Sequence, residues 1–297
     1  MLVRNSEEKI IETQSIRDML QLISYDTWLL LDIDNTVMEP LHELGSDQWF
    51  VKLIEHACQL TSNKEEAMIS VVKLYQEVQH RIRTKTVEPE IVHLVKALQD
   101  SGVPILALTA RDSSLIETTR CQLKDIGIDF SRCWDTSAKK IELDNEDKEN
   151  NPTYSGGIIF CSGKDKGKCL NSLLTHTPKL PKHIVMVDDK EKHLLHVKEI
   201  IERNGIRFHG LRYGFLDEKA KNVNMQAAHI QLACIKQELS SPVQNTIERL
   251  QLVSSNVHIQ HTKYAGFFRN LHHLKRKHNE PSCTNEKYDS SVKFSRN

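Results

Sequence analysis

Asp32 and Asp34 stand two residues apart in Asp32-Ile33-Asp34-Asn35-Thr36-Val37, directly after the apolar run Trp28-Leu29-Leu30-Leu31. A second acidic pair, Asp188-Asp189, follows another apolar run, His183 to Val187. Between them in the chain, Thr109 and Ala110 close a third run, Val103 to Leu108, and Lys164, Lys166 and Lys168 are interleaved with Gly163 and Gly167. Four carboxylates gathered in one place repel one another unless a hard cation sits among them, and an all-oxygen set suits Mg²⁺. A hydroxyl beside backbone N–H groups that lead into a helix cradles an anion. With a lysine added, these are the parts of a phosphoryl-transfer site, which works by positioning and charge neutralisation.

Such residues cooperate only if the fold brings them together. Each of the three apolar runs is strand-sized, ends in polar residues and is followed by a helical pattern, which is the signature of βαβ units. The expected fold class is therefore α/β, a parallel sheet flanked by helices. In such sheets the residues just past the strand ends share one crevice, where ligands bind. Around this frame the periodicity predicts a leading helix over 7–24, mostly helical structure over 46–84 with a break at Thr61-Ser62-Asn63, and a helix opened by Pro89. Further helices are expected over 115–123, from Lys166 or Gly167, to about Arg203, and over 217–239, with a strand at 206–213 and a short extended piece at 128–130. Lys139 to Leu143 and Gly157 to Cys161 bracket a polar loop and predict a β-hairpin. The core is expected to occupy 1–240, with a small helical cap inserted at about 40–87, and a basic, His-rich extension at 241–297 whose last part has the composition of disorder.

The order Asp-x-Asp-x-Thr-Val, then Thr, then Lys, then an acidic pair, each after a strand, resembles the four motifs of the haloacid dehalogenase (HAD) superfamily. The similarity runs from residue 27 to about 190 and extends to a subgroup found in intracellular bacteria as effector-like proteins. The resemblance implies a HAD-like Rossmannoid core and hydrolysis of a phosphomonoester through an aspartyl-phosphate. It assigns Asp32 as nucleophile and Asp34 as acid and base. Thr109 and Ala110 would bind the phosphoryl group, and Lys166 would screen it, with Lys164 and Lys168 as alternatives. Mg²⁺ would lie on Asp32, the backbone carbonyl of Asp34, Asp188 and, in support, Asp189. The substrate would be a phosphorylated small molecule or protein.

The rest of the chain excludes more than it assigns. Forty basic residues balance forty acidic ones, so no overall field steers the molecule to nucleic acid. Seven scattered cysteines contain no C-x-x-C pair and read as reduced thiols. The N-terminus shows no apolar segment behind a basic start, so the expected location is cytoplasmic, with export by a signal-peptide-independent route compatible. Arg111 and Asp112 read as surface ion-pair partners. From residue 255 onward eight Lys and Arg face three Asp and Glu, near Phe267-Phe268, a pattern that would suit an anionic membrane. The histidines there (258, 261, 272, 273, 278) fit no ligand spacing and read as a solvated face. The competing function is a catalytically idle HAD-fold module that recruits a partner or membrane through this extension.

Overall fold

The structure, a computed structural model, describes residues 10–134, 141–143 and 151–253. The expectations for residues 254–297 lie outside the described residues.

Among the described residues ten strands, β1 (Ile10–Thr13), β2 (Thr27–Leu31), β3 (Met38–Pro40), β4 (Thr84–Thr86), β5 (Ile105–Thr109), β6 (Ile141–Glu142), β7 (Thr153–Ser155), β8 (Ile158–Phe160), β9 (His183–Asp188) and β10 (Arg207–Tyr213), form two sheets. The main sheet has the order β1-β10-β9-β2-β5-β8-β7-β6. It is parallel from β1 to β8 and antiparallel only where β7 and β6 are added at one edge. The helices are α1 (Asp47–Leu60), α2 (Lys64–Gln79), α3 (Ile91–Asp100), α4 (Ile116–Asp125), α5 (Lys166–Thr175), α6 (Glu191–Arg203), α7 (Asp217–Lys221), α8 (Met225–Ile235) and α9 (Ser241–Arg249).

The period-two alternation of strands sorts the core onto two faces. Leu29, Leu31, Ala107, Val185 and Val187 point to the face covered by α3, α4 and the 3₁₀ turn at Ile16–Leu22. Leu30, Leu106, Leu108, Ile184 and Met186 point to the face covered by α5 and α6. Both faces are buried, so β2, β5 and β9 are continuous apolar runs, as parallel strands in such a sheet must be. Helices α1 and α2, where the cap was expected, lie in the chain between the two strands of an antiparallel ribbon, β3 with β4, and pack on each other. Asn63 begins α2 by accepting from the Glu66 N–H, at the break read from the sequence.

Several local expectations are corrected. Residues 10–22 are an edge strand and a 3₁₀ turn, because β1 gains its hydrogen bonds from β10, a partner no local pattern reveals. Residues 128–130 follow the turn at 126–127 and join no sheet. Over 217–239 the chain breaks at 222–224, and Asn224 caps α8. The two expected hairpin arms do not pair with each other: β6 pairs with β7, which turns directly into β8, and β8 joins β5 in the main sheet. The compact unit runs to Val253, since α9 packs its Val243 and Ile247 inward and Arg249 reaches Glu66 and Ser70 of α2. Among the described residues no helix is long and apolar enough to cross a membrane.

Candidate active site

The crevice at the carboxyl ends of β2, β5, β8 and β9 is built by four loops. Asp32 extends the ladder of β2 by one step, its N–H donating to Val187 O (3.0 Å). The chain then folds back at once. The N–H groups of Val37 and Met38 both donate to Ile33 O, and Asn35 adopts φ +60°, a left-handed conformation that asparagine tolerates. That reversal throws Asp32 and Asp34 into the mouth. The loops after β5 and β8 run side by side: Cys161, Ser162 and Gly163 donate their N–H groups to Thr109, Arg111 and Ala110 in turn (2.8, 3.0 and 2.9 Å). This pairing fixes the start of α5, where Asp165 accepts from the Lys168 N–H (3.0 Å).

Lys166 is the first residue of α5 and is 1% exposed. Its Nζ donates to Asp32 Oδ1 and to Asp188 Oδ2, both at 2.7 Å. Lys168 points to the exposed side, so of the three interleaved lysines the helix phase turns Lys166 inward. Burial works against its charge, yet the two carboxylates outweigh it and hold the ammonium proton more tightly than usual. Asp188 also accepts from the Lys190 N–H (2.9 Å), and its oxygens lie 3.0 and 3.2 Å from His193 Nδ1. Burial would raise this carboxyl group, but Lys166 and His193 bring it below the ordinary value. Asp32 goes the other way. Burial, then the charge of Asp188, lifts it to about 6 despite Lys166.

Asp189 accepts from Asn35 Nδ2 (3.1 Å). Burial and the charges of Asp32 and Asp188 push its carboxyl group well up. Asp32, Asp188 and His193 each offer a ligand atom, all within 4.8 Å of one another. That donor set, two carboxylate oxygens and an imidazole nitrogen, fits a divalent cation. The Asp34 carboxylate is outside this cluster, so Asp34 could offer a cation only its backbone carbonyl.

Asp34 instead faces Arg111, whose Nε and Nη2 donate to its two oxygens, each at 2.8 Å. Arg111 is 5% exposed, so it is no surface ion-pair partner. Burial alone would loosen its proton, and Asp34 more than offsets that. Asp112, expected as an ion-pair partner, accepts from the Ser114 N–H (2.7 Å) to start a 3₁₀ turn. Thr109 is wholly buried and its Oγ1 accepts from the Arg111 N–H (3.1 Å), while Ala110 is exposed beside it. The structure thus gathers Asp32, Lys166 and Asp188 in direct contact and sets Asp189 beside them through Asn35. Asp34 and Thr109 meet at Arg111. Sequence reasoning missed His193 and undervalued Arg111. The signal for His193 was its place in the first turn of a helix that follows Asp188-Asp189.

Side chains of α1 and α2 reach this crevice. Asp47 of α1 pairs with Lys190 (2.8 Å). Tyr75 of α2 packs against Phe50 and lies within the field of Asp34, with burial and then that charge raising its hydroxyl well above the usual value.

Among curated proteins, the chain is 24% identical to a Chlamydia trachomatis protein over 71% of this chain and 79% of that protein. A Chlamydia pneumoniae relative is 25% identical over 68% and 76% of the two chains. Both are provisionally named outer membrane proteins. An uncharacterised protein of Rickettsia prowazekii is 24% identical over 68% of this chain and 75% of its own. Two solved structures are similar at low identity. One is a haloacid dehalogenase-like family hydrolase from Streptococcus pneumoniae, 16% identical, covering 64% of this chain and 90% of that one at a TM-score of 0.39. The other is a phosphoserine phosphohydrolase-like protein from Francisella tularensis, 14% identical, covering 66% and 93% at a TM-score of 0.35. At those TM-scores the likenesses add nothing to what the chain's own topology says. The model of the family described as "Protein of unknown function (DUF2608)" matches residues 10–243, most of the chain, and the protein belongs to that family.

Proposed function

We propose that this protein is a divalent-cation-dependent phosphomonoester hydrolase of the HAD type, working through an aspartyl-phosphate on Asp32. The observation that carries the reading is the Lys166 ammonium held at 2.7 Å by both Asp32 and Asp188 at the mouth of the sheet. A buried lysine shared by two carboxylates from different strands has no packing purpose that an apolar residue would not serve better.

In this reading Asp32 attacks phosphorus and the bond to the leaving oxygen breaks. Asp34 gives that oxygen its proton, then takes one from the water that cleaves the acyl phosphate, releasing inorganic phosphate and restoring Asp32. Lys166 keeps the nucleophile ionised although burial lifts it to about 6. Thr109 and the backbone of Ala110 hold the phosphoryl oxygens. Asp32 and Asp188, with His193 or the backbone carbonyl of Asp34 and with Asp189 in support, would hold Mg²⁺. When bound, that ion supplies charge neutralisation for the phosphoryl group.

The purified protein is expected to hydrolyse p-nitrophenyl phosphate with Mg²⁺, and Asp32→Asn to abolish turnover while keeping the wild-type circular dichroism spectrum. An inactive wild type across a broad panel of phosphate esters and divalent cations would reject the proposal in favour of an idle module of the same fold.

A further inference from the structure

Arg111 makes more contacts than a partner for Asp34 requires. A guanidinium has five N–H donors in a fixed fork. Here Nε and one Nη2 hydrogen go to Asp34 (2.8 Å each), and the other Nη2 hydrogen goes to Gln79 Oε1 (3.2 Å). Nη1 donates to Thr119 Oγ1 (3.0 Å) and to Gln122 Oε1 (2.7 Å). All five are committed, so Arg111 has no donor left for a substrate phosphate.

The acceptors come from three elements: the loop after β2, helix α2 of the cap, and helix α4 of the core. Gln79 is held in turn, its Nε2 donating to Gly45 O (2.7 Å) and its backbone carbonyl accepting from Gln122 Nε2 (3.1 Å). Gly45 sits at φ +82°, where a side chain would meet Ile82, so that carbonyl is set by a conformation suited to glycine. Arg111, Gln79, Thr119 and Gln122 are all buried. If α2 swung away from the core, Arg111, Gln79 and Gln122 would each lose a partner in a place water does not reach. Other ties of this segment, Asp47 to Lys190, Arg249 to Glu66 and Ser70, and Ser240 to Glu77, are at least partly exposed and hold little by comparison.

We propose that Arg111 is a positioning residue that locks the Asp34 carboxylate and the cap helix α2 into one unit. The cap is then a fixed wall of the site and not a lid that opens at each turnover. The kinetic arm rests on Asp34 serving as acid and base, whereas the structural arm does not.

Arg111→Lys keeps the charge but loses the fork. With p-nitrophenyl phosphate and Mg²⁺ it is expected to lower kcat by roughly 10- to 100-fold and leave KM within about threefold, the pattern of a misplaced acid–base group. Gln79→Ala leaves the Arg111–Asp34 pair in place and should reproduce part of that loss if Arg111→Lys does not fold. The losses in the double variant should not multiply, because both act through one network. Hydrogen exchange of α2 should rise in both variants. In the wild type it should stay the same when orthovanadate is added with Mg²⁺. A raised KM with kcat intact in Arg111→Lys would make Arg111 a phosphate ligand and overturn the proposal. So would multiplying losses, or α2 exchange that changes with orthovanadate in the wild type. If the wild type hydrolyses nothing, the proposed function fails on its own and the exchange measurements still decide the lock.

Discussion

Replacing Lys166 with methionine, a side chain of similar length without the charge, tests the electrostatic reading of the crevice. Each ion pair at 2.7 Å is a gross attraction of about 6 kcal/mol at an effective dielectric of about 20. Most of that is consumed in desolvating the ammonium and two carboxylates. Breaking a buried pair from one side costs about 3–5 kcal/mol in practice, because the remaining charges stay buried. Against a total stability of about 5–15 kcal/mol this is a large loss, readable by urea unfolding. The pH dependence gives the sharper signature. Asp32 already stands at about 6 with the lysine present, and without it the group rises further. A carboxyl group raised in the folded state loses stability as pH climbs through its folded value, so the deficit of Lys166→Met is greatest near pH 8 and shrinks toward pH 5. Mg²⁺ at millimolar concentration should recover part of it, by binding the folded state alone. A variant as stable as wild type at pH 8, or a deficit that widens on acidification, would refute the reasoning.

Two further outcomes concern Gly167 and His183. Gly167→Ala would bring a Cβ within 2.3 Å of the His196 carbonyl oxygen on α6, so α5 must shift outward. Destabilisation of about 1–3 kcal/mol is expected in urea titration, with activity on p-nitrophenyl phosphate falling as well because Lys166 rides on the same turn. At the opposite end of the sheet, His183 hydrogen-bonds Thr27 and His209 (2.9 and 2.8 Å). Burial, then the charge of Arg207, lowers it to about 4. The unfolded chain therefore binds the extra proton between about 6.5 and about 4, and stability falls as pH drops through that window. Substituting His183→Gln should flatten the slope of the urea midpoint against pH there, and an unchanged slope would reject the assignment.

The frame of the site was legible because β2, β5 and β9 are buried on both faces. Such strands must be apolar along their whole length, so the point where polarity returns marks the crevice, at Asp32, Thr109 and Asp188. Residues that depend on tertiary partners were not legible. Arg111 looks like any basic residue after a strand until Asp34, 77 residues away, and Gln79 close around it. The choice among Lys164, Lys166 and Lys168 turned on where α5 begins, which depends on Asp165 accepting from the Lys168 N–H. Edge strand β1 has two adjacent isoleucines that fit a helical pattern equally well. Its extended form is imposed by β10, where Ile10 pairs with Gly210. The same holds for β7, whose three residues carry no period and become a strand only between β6 and β8.

The β1–β10 pairing also orders events during synthesis. Ile11 pairs with Leu211, so the first described strand has no neighbour until some 200 residues later have been made. At a translation rate of about 5–20 residues per second, that is roughly 10–40 seconds with its backbone unpaired. Strand β9, to which β10 docks on its other side, emerges shortly before. The sheet therefore grows outward from β2 and closes at an edge held by a strand made some 200 residues before its partner. A ribosome-bound nascent chain halted before residue 207 should expose β1 to proteases, and one released past residue 213 should protect it.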